Sequence, residues 1–403
     1  MYRCFARSIV PLAVLLSSVV ACGDDAKDEG TGSKADPLAN EAPVVEQYAK
    51  NVHANYVECL DKARVLKTAI DAFIATPSAQ TQDAAKAAWV AARLPYGPSE
   101  AFRFYSGPID DEKTGPEGEI NSWPLDENFI DYTRDEPTAG IVNRTELALT
   151  KESIRGENGI GGEKNIATGY HAIEFLLWGQ DEEDTTTKTP GQRSYTDYVS
   201  GGSAQNVERR AKYLQLASEI LVEDLEVLVA AWEPGKDNFA KTFVADAKGV
   251  SVTKMLTAIG SMANAELSGE RMTVAYKNRG QEDEHSCFSD TTNADLLGNF
   301  VGIQNVYLGK YGSSDGPGID DLVSAVDPAL DARMKSELDA GVAALTALQS
   351  VPFDFAIASA DGSPERENVL KAIQAIKKTS ATIVTIGQTL GVEFKLEEPS
   401  EEL

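Results

Sequence analysis

The chain has 403 residues, enough for one large domain or two, and 42% of them are hydrophobic, so a sizeable core can form. With 37 Lys and Arg against 63 Asp and Glu, the formal net charge is −26. That balance excludes nucleic acid as a partner, because phosphate binding needs clustered Lys and Arg, and it suits a soluble exported protein that attracts cations.

The first residues read as a targeting segment. Arg3 and Arg7 precede a short apolar run, Ile9 to Val20, too short to span a membrane. Val19-Val20-Ala21-Cys22 then ends in a small residue and a cysteine, as in a bacterial lipoprotein cleavage box. Residues 1–22 are therefore expected to be a lipoprotein signal peptide, with Cys22 carrying the lipid, and residues 23–42, polar and Gly-rich, a flexible tether. Cys4 leaves with the signal. Cys59 and Cys287 remain, and in an oxidising compartment they could form one disulfide.

Apolar residues recur at helical spacing from Val44 to Ile74 (Val45, Tyr48, Val52, Tyr56, Leu60), predicting a long amphipathic helix. Thr76-Pro77 reads as a cap with proline at the first helical position, and a second helix is expected from Ser78 to Leu94, ended by Pro95. A long acidic loop follows, with aromatic residues in Pro95 to Phe104 and in Asn121-Ser122-Trp123-Pro124-Leu125-Asp126. Long loops of this kind inside a domain tend to be functional. Further helices are expected over 138–155, 169–179, 207–232, 252–276, 296–311, 320–349 and 363–390, with a polar break around 180–205 and a loose acidic tail from Glu397 to Leu403. No run alternates like a strand. The fold class is all-α, as two successive helical-bundle domains, residues 43–200 and 205–395.

Chemistry concentrates in Gly169-Tyr170-His171-Ala172-Ile173-Glu174, which holds one of only three histidines. Positions i and i+3 share a helical face, with Cβ atoms roughly 5–6 Å apart, so His171 and Glu174 can grip one metal ion or simply form a buried pair. The helix lacks the second histidine of a His-Glu-x-x-His or His-x-x-Glu-His zinc hydrolase, since Phe175 follows Glu174. Other ligands must come from elsewhere: Glu100 beside a proline break, then His285, Asp283 and Asp290 in the segment Gln281 to Asp290. Oxygen-rich ligation with one or two imidazoles suits iron, and zinc or copper less distinctively. The Gly-rich turn Gly156 to Gly162 lacks a Walker lysine, and no Gly-x-Ser-x-Gly elbow or haem attachment motif is present. A Cys287–His285 nucleophile pair is conceivable, and His53 reads as an exposed or capping residue.

With these motifs, the chain resembles the imelysin family, in particular its iron-regulated-protein-A-like branch. The resemblance rests on Gly169 to Glu174, Ala91 to Glu100, Ile120 to Asp126, Gly269-Glu270-Arg271-Met272, Gln281 to Asp290 and Gly302 to Tyr311. It implies a two-domain helical fold with the His-x-x-Glu site near the domain interface, and a periplasm-facing lipoprotein, on the outer membrane, that binds iron or an iron chelate for uptake with other uptake components. It makes His171, Glu174, Glu100 and His285 the expected metal residues. The alternative it carries is an imelysin-type metallopeptidase.

Overall fold

The computed structural model describes residues 36–181, 188–202, 204–401 and 403. The signal, Cys22 and most of the tether lie outside them. The longer helices are numbered in chain order.

Helix α1, Glu41–Ala75, buries Val45, Tyr48, Val52, Tyr56, Leu60, Leu66, Ile70 and Phe73, the stripe read from the sequence. Helix α2, Ala79–Ser99, starts one residue later than expected. Its cap is Ser78, whose Oγ accepts from Thr81 N–H while Ser78 N–H donates to Thr81 Oγ1. Pro95 does not end it. The helix runs through Pro95 and Pro98, and its last carbonyls take side-chain donors: Asn55 on Pro95 O at 2.7 Å, Ser99 Oγ on Tyr96 O at 2.7 Å and Asn299 on Gly97 O at 3.0 Å. Asn55 and Asn299 thus anchor the helix end beyond Pro95 to neighbouring helices.

The loop 100–168 holds only short helical turns, including Lys151–Glu157 where a longer helix was expected. It leads into α3, Gly169–Trp178, and later α4, Val207–Trp232, which packs on α1. Asp131 of the loop ties these parts together, accepting from Arg193 at 2.7 Å and from Arg210 of α4 at 2.6 and 3.0 Å.

The helix expected over 252–276 is not uniform. Val250–Ser261 (α5) is α-helical, and Met262–Val274 has π-helical hydrogen bonding. Periodicity cannot reveal this, because a π-turn adds one residue without changing composition, and such segments occur often at functional sites. Helix α6, Thr292–Leu308, packs on α2. The expected helix 320–349 breaks at Asp327, which caps α7, Pro328–Ala347. Helix α8, Pro364–Leu390, packs on α7 and on the π-helical segment. A two-stranded hairpin, β1 Lys310–Tyr311 with β2 Ser314–Asp315, is the sole sheet among the described residues. The all-α class stands.

Asp36–Leu403 form one compact unit. The bundles expected at 43–200 and 205–395 are thus halves sharing a core, since α1 packs on α4 and α2 on α6. The tail is not loose. Glu397 N–H donates to Ser261 Oγ (3.1 Å), Asn264 donates to Glu397 O (2.8 Å), and Ser400 places its N–H and Oγ–H on Glu270 at 2.7 and 2.8 Å. It lies along the π-helical segment.

Two close backbone approaches fix the site. At Gly302, a Cβ would come within 2.3 Å of Pro98 O, so α6 meets the end of α2 backbone to backbone. Gly169 opens α3 at φ +83°, with Ile120 O 2.4 Å from where a Cβ would stand. Gly169→Ala should therefore destabilise by about 2 kcal/mol or more, left-handed strain plus overlap. Urea unfolding checks this, and a change under about 0.5 kcal/mol would refute the packing argument.

Candidate metal centre

Helix α3 is buried on all sides, its histidine included, because α4, α2 and the segment 284–291 cover it. Trp89 Nε1–H donates to Tyr170 O at 2.9 Å, pinning α2 to α3. His171 is 1% exposed and Glu174 0%.

Glu174 Oε1 accepts from Ser289 N–H (2.9 Å) and Ser289 Oγ–H (2.7 Å), and Oε2 stands 3.0 Å from His171 Nδ1. Both carboxylate oxygens are thus engaged. Burial pushes the Glu174 carboxyl up to about 8, although Ser289 opposes it. His171 Nε2 has no partner. Burial, then His285 and Arg93 nearby, hold this imidazole neutral.

His285 repeats the pattern. Its ring lies 4.7 Å from the His171 ring, centroid to centroid, at 70°. Its Nδ1 stands 3.0 Å from Asp295 Oδ2, and its Nε2 has no partner. Burial alone would raise Asp295, but Arg93 and His285 hold its carboxyl well below the usual range. An ionised Asp295 accepts the Nδ1 proton, which leaves the Nε2 lone pair bare. Burial, then Arg271, lowers His285 to about 4, so the ring is neutral.

Glu100 sits at the end of α2, 0% exposed. Its Oε2 accepts from Arg103 at 3.0 Å and from Arg271 Nη2. Arg271 comes from the π-helical segment and also bonds Asn299 (2.7 Å) and Glu266 (2.7 Å). Burial opposes ionisation, yet Arg103 and Arg271 lower Glu100 to about 2. Glu100 Oε1 has no partner.

Three donors are therefore unsatisfied in one buried region: His171 Nε2, His285 Nε2 and Glu100 Oε1. Buried polar atoms are normally paired. Two imidazoles and one carboxylate are the donor set of non-haem iron sites, and each imidazole is aimed by a carboxylate on its other nitrogen, the arrangement that orients metal-ligating histidines. The cage is not preassembled. Among the described residues, no three His, Cys, Asp or Glu side chains are grouped so as to hold a metal ion.

The structure brings His171, Glu174, His285 and Glu100 into one neighbourhood. Glu174 forms with His171 the buried pair that the spacing allowed, its oxygens facing Ser289 and His171. Asp290 lies beside Asp354 and is pushed to about 7 by burial and that neighbour. Among the described residues no hydrogen bond joins Asp283 or Asp290 to either histidine. His53 is half-buried on α1, outside the site. Cys59 and Cys287 are both free thiols, so the disulfide they could have formed is absent: Cys59 is buried on α1 and Cys287 lies among Glu174, Glu284 and Glu282. Burial, then those carboxylates, pushes the Cys287 thiol well up, which disposes of the nucleophile pair.

Sequence reasoning missed Asp295, Ser289 and the roles of Arg93 and Arg271. Arg93 forks onto Asp295 at 3.2 and 2.9 Å and donates to Asn121 Oδ1 at 2.6 Å. The aromatic loop contributes too, with the Trp123 ring edge-on to His285 at 5.6 Å. Arg93, Asn121 and Arg271 stood within quoted motifs, but nothing in the sequence pairs Arg93 with a residue 202 positions away.

The family model described as Imelysin matches residues 52–383. A curated protein named iron-regulated protein A from Synechococcus elongatus is 23% identical over 337 residues, covering 81% of this chain and 80% of that one. Among solved structures, a provisionally named iron-regulated protein A precursor from Parabacteroides distasonis matches with TM-score 0.66 and 22% identity, over 89% of this chain and 97% of that one. An imelysin-like protein from Psychrobacter arcticum matches with TM-score 0.62 and 14% identity, over 89% and 99%. At those identities the structures speak for the fold alone. The family model spans most of the sequence, and with it the helices, loops and histidines just described: the chain belongs to the imelysin family.

Proposed function

We propose that this protein binds iron in the cell envelope and serves iron uptake, held to the outer membrane by a lipid on Cys22 and facing the periplasm. The observation that carries the metal reading is the set of three metal-ligating atoms left without a hydrogen-bond partner in one buried region, His171 Nε2, His285 Nε2 and Glu100 Oε1. The donor set suits iron, and zinc or copper less distinctively. The relatives named iron-regulated protein A support the iron assignment. Iron here is cargo, as a bare ion or released from a chelate, and its entry draws the three donors together. Asp295 acts by fixing the His285 tautomer, and Glu174 does the same for His171 once its carboxyl has released its proton.

The metallopeptidase reading has less support. A peptidase must present its metal and base to a polypeptide, and His171, Glu174, His285 and Glu100 are each at most 1% exposed. The helix also has no second histidine. The residues suit enclosure of an ion better than cleavage of a chain.

Isothermal titration of the metal-free protein with ferrous and ferric salts tests the proposal. Binding of about one iron per chain is expected, and it should be abolished in His171→Ala/His285→Ala. No binding, or binding untouched by that double substitution, would refute it.

A further inference from the structure

The three donors are not the only unsatisfied atoms there. The hydroxyls of Tyr96 and Tyr56 are also buried without a hydrogen-bond partner. Both rings are 0% exposed. A buried tyrosine normally finds a partner for its hydroxyl, so two orphans beside one another call for a reason.

Tyr96 and Glu100 are four residues apart at the end of α2, which places them on one face of that helix. Tyr96 senses the Glu100 charge more than any other, and Tyr56 is a neighbour of both. Glu100 in turn is close enough to feel His285, and His285 lies 4.7 Å from His171. The unpartnered atoms therefore form one chain of neighbours: phenol, carboxylate, imidazole, imidazole. Other side chains hold the bodies of these residues and leave the tips free. Arg93 lies over the Tyr96 ring at 5.4 Å, and the Tyr170 ring stands 5.0 Å from it. The phenol is thus fixed in orientation with nothing to donate to.

We propose that Tyr96 is a further ligand of this site and that its phenolate selects ferric iron as the cargo. The proposal rests on the metal reading given above and sharpens it. A phenolate is a hard anionic oxygen, and tyrosine is a known iron ligand. Two imidazoles, one carboxylate and one phenolate favour a hard trivalent ion over a softer divalent one. Coordination replaces the Tyr96 O–H bond with an O–Fe(III) bond. The proton goes to buffer, no electron moves, and a bound cation drives the deprotonation as it does for other metal-bound groups. Tyr56, one helix over, stays a phenol.

Ferric citrate added to the metal-free full chain tests this by visible absorption. A phenolate-to-iron charge-transfer band is expected. Tyr96→Phe should lose the band and weaken ferric affinity by about tenfold or more, with zinc affinity changed far less. Tyr56→Phe should keep the band. Should Tyr96→Phe fail to fold, resonance Raman on the unsubstituted protein grown with ring-deuterated tyrosine decides: phenolate vibrations that shift with the label support the proposal. Ferric binding without the band or those vibrations overturns the role of Tyr96 and leaves the metal site standing, as does a band that survives in Tyr96→Phe. Absence of any iron binding overturns both.

Discussion

Arg93→Met should cost the fold about 3–5 kcal/mol, the range for breaking a buried ion pair by removing one partner. Arg93 and Asp295 are each 3% exposed. The guanidinium meets both Asp295 oxygens, donates to Asn121 and lies against the rings of Tyr170, Tyr96 and Trp89 at 5.0, 5.4 and 5.8 Å. Methionine fills much of the volume but leaves the Asp295 carboxylate with only His285 and Ser286. That charge must then be carried unpaired or relieved by a proton, and a protonated Asp295 no longer dictates the His285 tautomer. Removing the charge as well, in Arg93→Met/Asp295→Leu, should recover most of the stability, because the pair contributes less than its disruption costs. Denaturant unfolding of the two variants measures both effects. An Arg93→Met protein within about 1 kcal/mol of the parent would show that the pair is not the anchor of the α2–α6 contact.

The second large effect separates the two members of the His-x-x-Glu motif. Glu174→Gln should weaken iron binding by about 10–100-fold, the usual loss when a group that orients a metal ligand is changed. His171→Ala should weaken it further still. The reasoning is local. In the parent, Glu174 Oε1 is taken by Ser289, and Oε2 faces His171 Nδ1. Glutamine keeps the bonds from Ser289 but turns an amide N–H toward Nδ1. The imidazole then keeps its proton on Nε2, the nitrogen a metal needs bare, whereas the parent carboxyl, pushed up to about 8 by burial, can release its proton as a cation binds and accept from Nδ1–H. A direct ligand would show the reverse order or equal losses. Calorimetric titration of both variants with the same iron salt decides between these outcomes, and a Glu174→Gln protein as impaired as His171→Ala would return Glu174 to the role of ligand.

Much of the fold is legible because long amphipathic helices write their period into the sequence. The stripe from Val45 to Phe73 in α1 needs no tertiary knowledge. What escapes is structure decided at long range. Pro95 should stop α2 by local rules, yet the helix runs on to Ser99, and Asn55 and Asn299, from α1 and α6, hold the turn beyond the proline. The π-helical hydrogen bonding of 262–274 has no periodic signature, and the acidic tail looks unstructured until Glu270 and Asn264 are seen to receive it. The site divides along the same line. His171 and Glu174 are visible because they are one helical turn apart. Glu100 and His285 are visible as unusual residues in unusual settings. Asp295 and the arginines are ordinary charges until the fold buries them against one another, and only the hydrogen bonds distinguish a residue that holds a histidine from one that could hold a metal.

The docked tail has a kinetic consequence. A π-helical run is a strained register that α-helical hydrogen bonding would replace if its neighbours let go. Here the neighbours are Leu396 against Gly260, Pro399 against Gly269, and the bonds of Glu397 and Ser400. Amide exchange in 262–274 is therefore expected to quicken when a segment some 130 residues later is released. Arg271 rides on that run. Release of the peripheral tail is therefore expected to loosen the Arg271 grip on Glu100 deep in the core, which couples a surface segment to a buried carboxylate.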